Sequence, residues 1–117
     1  MKKTARIFLL LPLLFLAACS SKPVVEPPAD LISEDTIVQI IAEQMIVESL
    51  VFNAPMKYNK EELARAHYSQ LLEKYKITVP RYQSSLTFYF TDKNRMEDIM
   101  NRAKSQIDTK KSQLPTQ

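Results

Sequence analysis

The sequence predicts an all-α fold, a small bundle of three to four helices standing after a signal peptide and a proline-rich tether. Three observations predict it. Glycine is absent from the 117 residues, and the tight primed turns of β-hairpins favour glycine, so an all-β sandwich is disfavoured. Apolar residues between Ile37 and Ile107 recur at helical spacing. Helix-capping residue types, Thr36, Asn59 and Thr78, stand just ahead of those stripes.

The first eighteen residues form the signal. Lys2, Lys3 and Arg6 make a basic start, Ile7 to Leu16 is an apolar run broken only by Pro12, and Ala17-Ala18 supply a small-residue cleavage site. Leu16-Ala17-Ala18-Cys19 resembles a bacterial lipobox. That resemblance implies a diacylglycerol on the Cys19 thiol, cleavage ahead of the cysteine, and acylation (palmitate or a similar chain) of the new amine. The lipid then serves as the membrane anchor. Because Cys19 is the sole cysteine, no thiol remains for a disulfide, a metal or a nucleophile.

Residues 19–29 carry Pro23, Pro27 and Pro28 with little that packs, and read as a flexible tether reaching about 30 Å in extended form. A single helical domain is expected over 30–109, with 110–117 as a frayed tail. The first helix begins near Ser33 to Thr36, with Thr36 and Gln39 at capping-box spacing and Glu34 and Asp35 favouring an N-terminus. It runs to about Phe52. Ile37, Ile40, Ile41, Met45 and Phe52 share its stripe, while Val38, Ile46, Val47, Leu50 and Val51 broaden it. A helix this apolar is central, or it serves an interface.

Pro55 interrupts the connector 53–59. Asn59 caps a second helix, with Glu62 at box spacing and Leu63, His67, Leu71 and Tyr75 on one stripe beside Tyr68 and Leu72. Thr78 opens a third, with Pro80 in its first turn and Tyr82, Leu86, Tyr89 and Phe90 as its buried side. Thr91 to Asn94 breaks the pattern, and Met96, Ile99, Met100, Ala103 and Ile107 stripe the last helix.

The formal charge of +3 belongs to the signal, since the 99 residues from Cys19 onward hold 13 basic and 13 acidic side chains. Nucleic acid is therefore not an expected partner. The charge is segregated, with a net of −5 over 19–50 and +5 over 51–117. An acidic first helix packed against basic later ones accounts for this more simply than a two-signed docking surface. Dinucleotide fingerprints, P-loops and nucleophile elbows all require glycine and are excluded.

His67 is the only histidine and lies on an apolar stripe, without partners for metal or proton chemistry. The pairs Glu61-Glu62 and Glu97-Asp98 point about 100° apart on a helix and sit near expected helix starts, where they favour the dipole. Arg102, Lys104, Lys110 and Lys111 read as a solvated helix end rather than a lipid-headgroup site. Phe88-Tyr89-Phe90 is different, because a helix cannot bury three consecutive aromatics against one neighbour. Tyr82, Phe88, Tyr89 and Phe90 are the candidate partner-binding residues.

Taken in order, the residues resemble a family of small Bacteroidota envelope lipoproteins, domain-of-unknown-function family 4296. The resemblance is carried by Pro27-Pro-Ala-Asp-Leu-Ile-Ser-Glu-Asp35, the apolar first helix, Tyr68-Ser-Gln-Leu-Leu-Glu-Lys-Tyr-Lys-Ile-Thr78, Tyr82 with Ser85-Leu-Thr-Phe-Tyr89, and the Met96 to Ile107 stripe. It implies lipid attachment at Cys19 and no established activity. A weaker likeness over Tyr68 to Tyr89 is to the helical chaperone arms of parvulin-type periplasmic foldases.

The resulting expectation is a non-enzymatic, lipid-anchored envelope protein that binds another envelope protein, as a chaperone-like or outer-membrane assembly accessory. An envelope hydrolase with an unrecognised site and a purely structural lipoprotein are the alternatives. No cofactor, metal or small-molecule substrate is implied. Ser20 follows the cysteine where an aspartate would favour inner-membrane retention, and Ser20 to Pro23 lack the acidic residues of surface-exposed relatives. The expected location is the periplasmic face of the outer membrane.

Overall fold

The computed structural model describes residues 24–113, in four α-helices: α1 (Glu34–Phe52), α2 (Lys60–Lys74), α3 (Val79–Phe90) and α4 (Lys93–Ser112). The all-α expectation stands. The expected signal peptide, Cys19, the first part of the expected tether and residues 114–117 lie outside the described residues.

Each helix starts on a side-chain oxygen. Ser33 caps α1 by accepting the Thr36 N–H at 3.3 Å, and the two hydroxyls lie 2.8 Å apart. The capping pair is therefore Ser33–Thr36 and not the expected Thr36–Gln39, because Thr36 already lies inside the first turn. Asn59 accepts from the Glu61 and Glu62 N–H groups at 3.1 and 3.2 Å, and Thr78 caps α3 with Pro80 in the first turn, both as read from the sequence. Asp92 caps α4, accepting from Asn94 and Arg95. The last helix thus starts earlier than the expected break at 91–94, and it ends later, at Ser112 instead of near Ile107. Lys110 and Lys111 in its final turn complement the helix dipole there.

The C-terminus of α2 shows what a chain without glycine does at a sharp stop. Lys76 has φ of 54°. The Ile77 N–H donates to Leu72 O and the Lys76 N–H to Glu73 O, which is the Schellman pattern, with Leu72 and Ile77 in buried apolar contact. A lysine occupies the left-handed position that glycine ordinarily takes.

The centre of the bundle is α1, packed against both α4 and α2. Ile37, Val38, Ile40, Ile41 and Ala42 are all buried, which covers most of the helix circumference along its first half. Complete burial of one such isoleucine is worth about 1.5–3 kcal/mol. Leu71, Leu72, Ile77, Tyr82, Tyr89, Ile99 and Ala103 complete the core. α2 runs antiparallel to α1, since Lys60 reaches Phe52 while Lys74 reaches Glu43. α4 runs along α1 in the same sense: Arg95 and Arg102 reach Glu34, and further on Gln106 and Lys110 share a cleft with Gln39 and Glu43.

Between them, α3 holds the segment that leads into α1. Ser85, fully buried, accepts the Ile32 N–H at 3.1 Å. Tyr89 donates its hydroxyl to Ile32 O at 2.7 Å, and Arg81 Nε donates to Asp30 O at 2.7 Å. Residues 81, 85 and 89 follow one another at four-residue spacing on a single face, so three side chains grip three backbone groups of the non-helical segment, beside its own turn bond from Leu31 N–H to Pro28 O.

The segregated charge resolves internally. Arg102 bonds Glu34 at 2.7 Å, Asp35, and Asp98 at 3.5 Å, while Arg95 approaches Glu34 at 3.6 Å and Lys74 pairs with Glu43 at 2.8 Å. Arg102 is thus an ion-pair hub and not part of a basic helix end. The hydrogen bond to Asp35, ahead of the charges beside it, raises the Arg102 pKa further.

Candidate functional site

The expected contact surface at Tyr82 to Phe90 needs correction in place. Tyr82 and Tyr89 are buried core residues, 2% and 5% exposed. Phe88 is half-buried, its ring 5.4 Å from that of Tyr89, with the Arg95 guanidinium over both. Of the four, only Phe90 is exposed, and it was expected on the buried side. Spacings of three and four residues turn Tyr82, Ser85 and Tyr89 inward as one face and leave Phe90 about a quarter-turn outside it.

Apolar surface is exposed instead at the far end of the α1–α2 hairpin. α3 and α4 reach along α1 as far as Met45 and Glu48, and the last turn of α1 is lined by α2. Val47, Val51 and Phe52 of α1 and Ala64, Tyr68 and Leu71 of α2 line an open groove of about 480 Å³. Gln44 and Glu48, joined by a 3.3 Å hydrogen bond, form a polar ridge beside it. On the other side of that ridge lies a smaller hollow of about 280 Å³ with Met45, Leu86, Phe90 and Met100 in its walls. Phe90 therefore does face a concave apolar surface, a secondary one. At the tip itself Leu50, Phe52, Met56 and Tyr58 are exposed, Met56 almost completely at 97%.

Sequence periodicity placed Phe52 in the core, because helical spacing continues past the point where partner helices stop. The signal that was present lay in the connector: Met56 and Tyr58 are large apolar residues in a proline-interrupted turn, where no helical stripe can claim them.

The groove's base is ordered by polar contacts. Lys60 donates to Phe52 O at 2.7 Å and lies over the Phe52 ring, supplying the positive charge that the last turn of α1 lacks. Tyr82 donates to Gln44 Oε1 at 3.2 Å and stands 6.2 Å from the Tyr68 ring. Burial, with the Tyr68 hydroxyl and Glu48 nearby, pushes Tyr82 up to about 12, and burial also raises Tyr68.

A second, more polar cleft lies between α1 and α4 around Glu43, Tyr75, Gln106 and Lys110. Burial acts to raise the Glu43 carboxyl, but hydrogen bonds from Lys74 and Tyr75 together with the Lys74 charge prevail and hold it below its ordinary value. Burial and that same bond to Glu43 push Tyr75 up to about 12. The cluster is self-satisfied and leaves little free valence for chemistry on a substrate.

The other sequence candidates are structural in placement. His67 is half-buried on α2. Glu61 and Glu62 occupy the first turn of α2. Glu97 and Asp98 lie beyond the first turn of α4, contrary to expectation, and pair with Lys93 and Arg102. Among the described residues, no group of three or more His, Cys, Asp or Glu side chains is placed to hold a metal ion, and no helix is long and apolar enough to cross a membrane.

A glycine-free bundle of four helices with an apolar hairpin groove defines a small all-α domain. The chain belongs to the family described as Domain of unknown function (DUF4296), whose profile matches residues 28–113, the whole bundle and the turn that leads into it. No curated protein and no solved structure matches it.

Proposed function

We propose that this protein is a lipid-anchored component of the bacterial envelope, held through Cys19 at the periplasmic face of the outer membrane, that works by binding an apolar segment of another envelope protein. A role as a chaperone-like or assembly accessory follows from that chemistry. The observation that carries the reading is the groove between α1 and α2, open to solvent along Val47, Phe52 and Ala64, with the buried Val51 and Leu71 at its floor. Apolar concave surface of this kind stays exposed only at a cost in solubility, and a partner helix or strand offsets that cost. The lipobox-like Leu16 to Cys19 supports the anchor, and the tether supports reach.

Site-specific photocrosslinking in intact cells tests it. A benzophenone side chain at Ala64 should give a discrete adduct with an envelope protein, whereas one at Lys104 should not. The adduct should be lost when Val47→Glu places a charge on the partly exposed groove wall while circular dichroism stays helical. Equal labelling from both positions, or an adduct indifferent to Val47→Glu, would count against a groove-bound partner. Cys19→Ala should move the protein to the soluble fraction, and protease added to intact cells should leave the native protein whole.

A further inference from the structure

The hairpin tip adjoins the groove and shares Phe52 with it. Within nine residues it presents Leu50, Phe52, Met56 and Tyr58, each at least half exposed. Met56 is almost uncovered among the described residues. Lys57 and Lys60 accompany these side chains, with their ammonium groups 5.1 and 5.5 Å from the Tyr58 and Phe52 rings. Apolar and amphipathic aromatic groups interleaved with long-stemmed lysines let side chains enter acyl chains while the ammoniums snorkel to headgroup level. Glu61 and Glu62 on the first turn of α2 balance the two lysines, so the tip carries no excess charge.

The chain ahead of the bundle determines where the tip can reach. The clamp on Asp30 and Ile32 fixes the tether's exit at the opposite end of α1. The 19 residues of α1 separate exit and tip by about 28 Å at roughly 1.5 Å per residue. The chain turns between Pro28 and Leu31, and the nine steps from Cys19 to Pro28 span about 28 Å at roughly 3.1 Å per residue if extended. The tether is just long enough to run back beside α1 and bring Cys19 level with the tip. A membrane holding Cys19 is then confronted with the tip intramolecularly, at high effective concentration, so even a weak apolar contact is occupied.

We propose that the α1–α2 turn inserts Leu50, Phe52, Met56 and Tyr58 into the same lipid leaflet that holds the acyl chains of Cys19, standing the bundle on that turn with the Phe52 end of the groove at the membrane surface. This rests on the lipid-anchor reading above. Because the tip is charge-balanced, insertion is driven by apolar transfer and is indifferent to anionic lipid.

The test uses the mature acylated protein in phosphatidylcholine vesicles, with and without phosphatidylglycerol. Cys19 is thioether-linked in that form, so Met56→Cys provides a single site for an environment-sensitive nitrobenzoxadiazole label. Lys104→Cys is the control on α4. The expected result is a blue-shifted emission at position 56, with a severalfold loss of quenching by aqueous iodide, equal in both lipid mixtures, and no change at position 104. Adding Leu50→Ser and Phe52→Ser, both at exposed positions, should restore quenching at 56 while circular dichroism stays helical. A protein that floats with the vesicles yet leaves position 56 as quenchable as 104 would overturn tip insertion and spare the anchor. One that remains in the aqueous fraction would overturn the anchor and the insertion with it. A blue shift that appears in detergent without vesicles and grows with protein concentration would assign the tip to a second copy, which also overturns the proposal.

Discussion

Two single residues carry more than their size. Ser85 is a fully buried polar side chain, and it satisfies the Ile32 N–H. Ser85→Ala leaves that donor without a partner, and a loss of about 1–3 kcal/mol is expected from the desolvation of an unpaired buried group. Urea denaturation, with an unchanged slope and a lower midpoint, is the measurement. Lys76 lies on the other side of the ledger. Its left-handed backbone is costly for any residue with a Cβ, so Lys76→Gly should stabilise the protein by about 1 kcal/mol, provided the Schellman bonds persist. A lower melting temperature for that variant would mean that lysine's stem packing outweighs backbone strain. Neither position announced itself in the sequence. A serine within an apolar stripe reads as a gap, and no local pattern marks which lysine must turn left-handed when glycine is missing.

At the scale of elements, the stripes were legible and their limits were not. Capping signals at Asn59 and Thr78 and the Met96 to Ile107 stripe located three helices closely, because caps and apolar periodicity are local. Which part of α1 would be covered depends on how far α3 and α4 extend along it, a tertiary fact that sets Ile40 in the core and leaves Phe52 outside. The last helix makes a sharp test of that distinction. Ile99 is fully buried, while Met100, one position on, is half-buried. Ile99→Asp should therefore abolish folding or cost several kcal/mol, roughly 3 or more, whereas Met100→Asp should cost less. Thermal melts of the pair decide it, and equal losses would refute the placement of the α4 stripe. The Arg102 hub is a weaker tie because its side chain is 38% exposed. Arg102→Ala should cost about 1 kcal/mol at low salt and less at high salt, which a salt series of melting temperatures reads directly.

For the whole molecule, stability should fall off at both ends of the pH scale for different reasons. Tyr75 and Tyr82 hold their protons up to about 12 when folded, against about 10 in the unfolded chain. The unfolded state then loses protons first, so the stabilisation is complete below about 10 and is lost as pH rises towards about 12. Glu43 works in the opposite sense: its folded value is depressed, so its contribution is present above the ordinary glutamate range and disappears as pH falls through the lower folded value. Glu43→Gln should flatten the acid limb, and Tyr82→Phe should soften the alkaline one, in melting temperatures recorded across pH.

The grip of Arg81, Ser85 and Tyr89 on the incoming chain also has a mechanical meaning. In the proposed lipid-anchored state, any drag on the bundle arrives as a pull on residue 30. Here that load does not enter the bundle through the first turn of α1. It is handed sideways to α3, through three bonds whose donors and acceptors lie at Asp30 and Ile32. α3 is itself held from both ends, by the Schellman turn before it and by the rings of Phe88 and Tyr89 beneath Arg95 after it. The first event under tension is therefore the peeling of two or three residues from α3, which lengthens the leash by about 10 Å at roughly 3.3 Å per residue while the groove stays intact. Optical-tweezer extension from the N-terminus should show that small early step ahead of global unfolding, and Ser85→Ala should bring it to lower force.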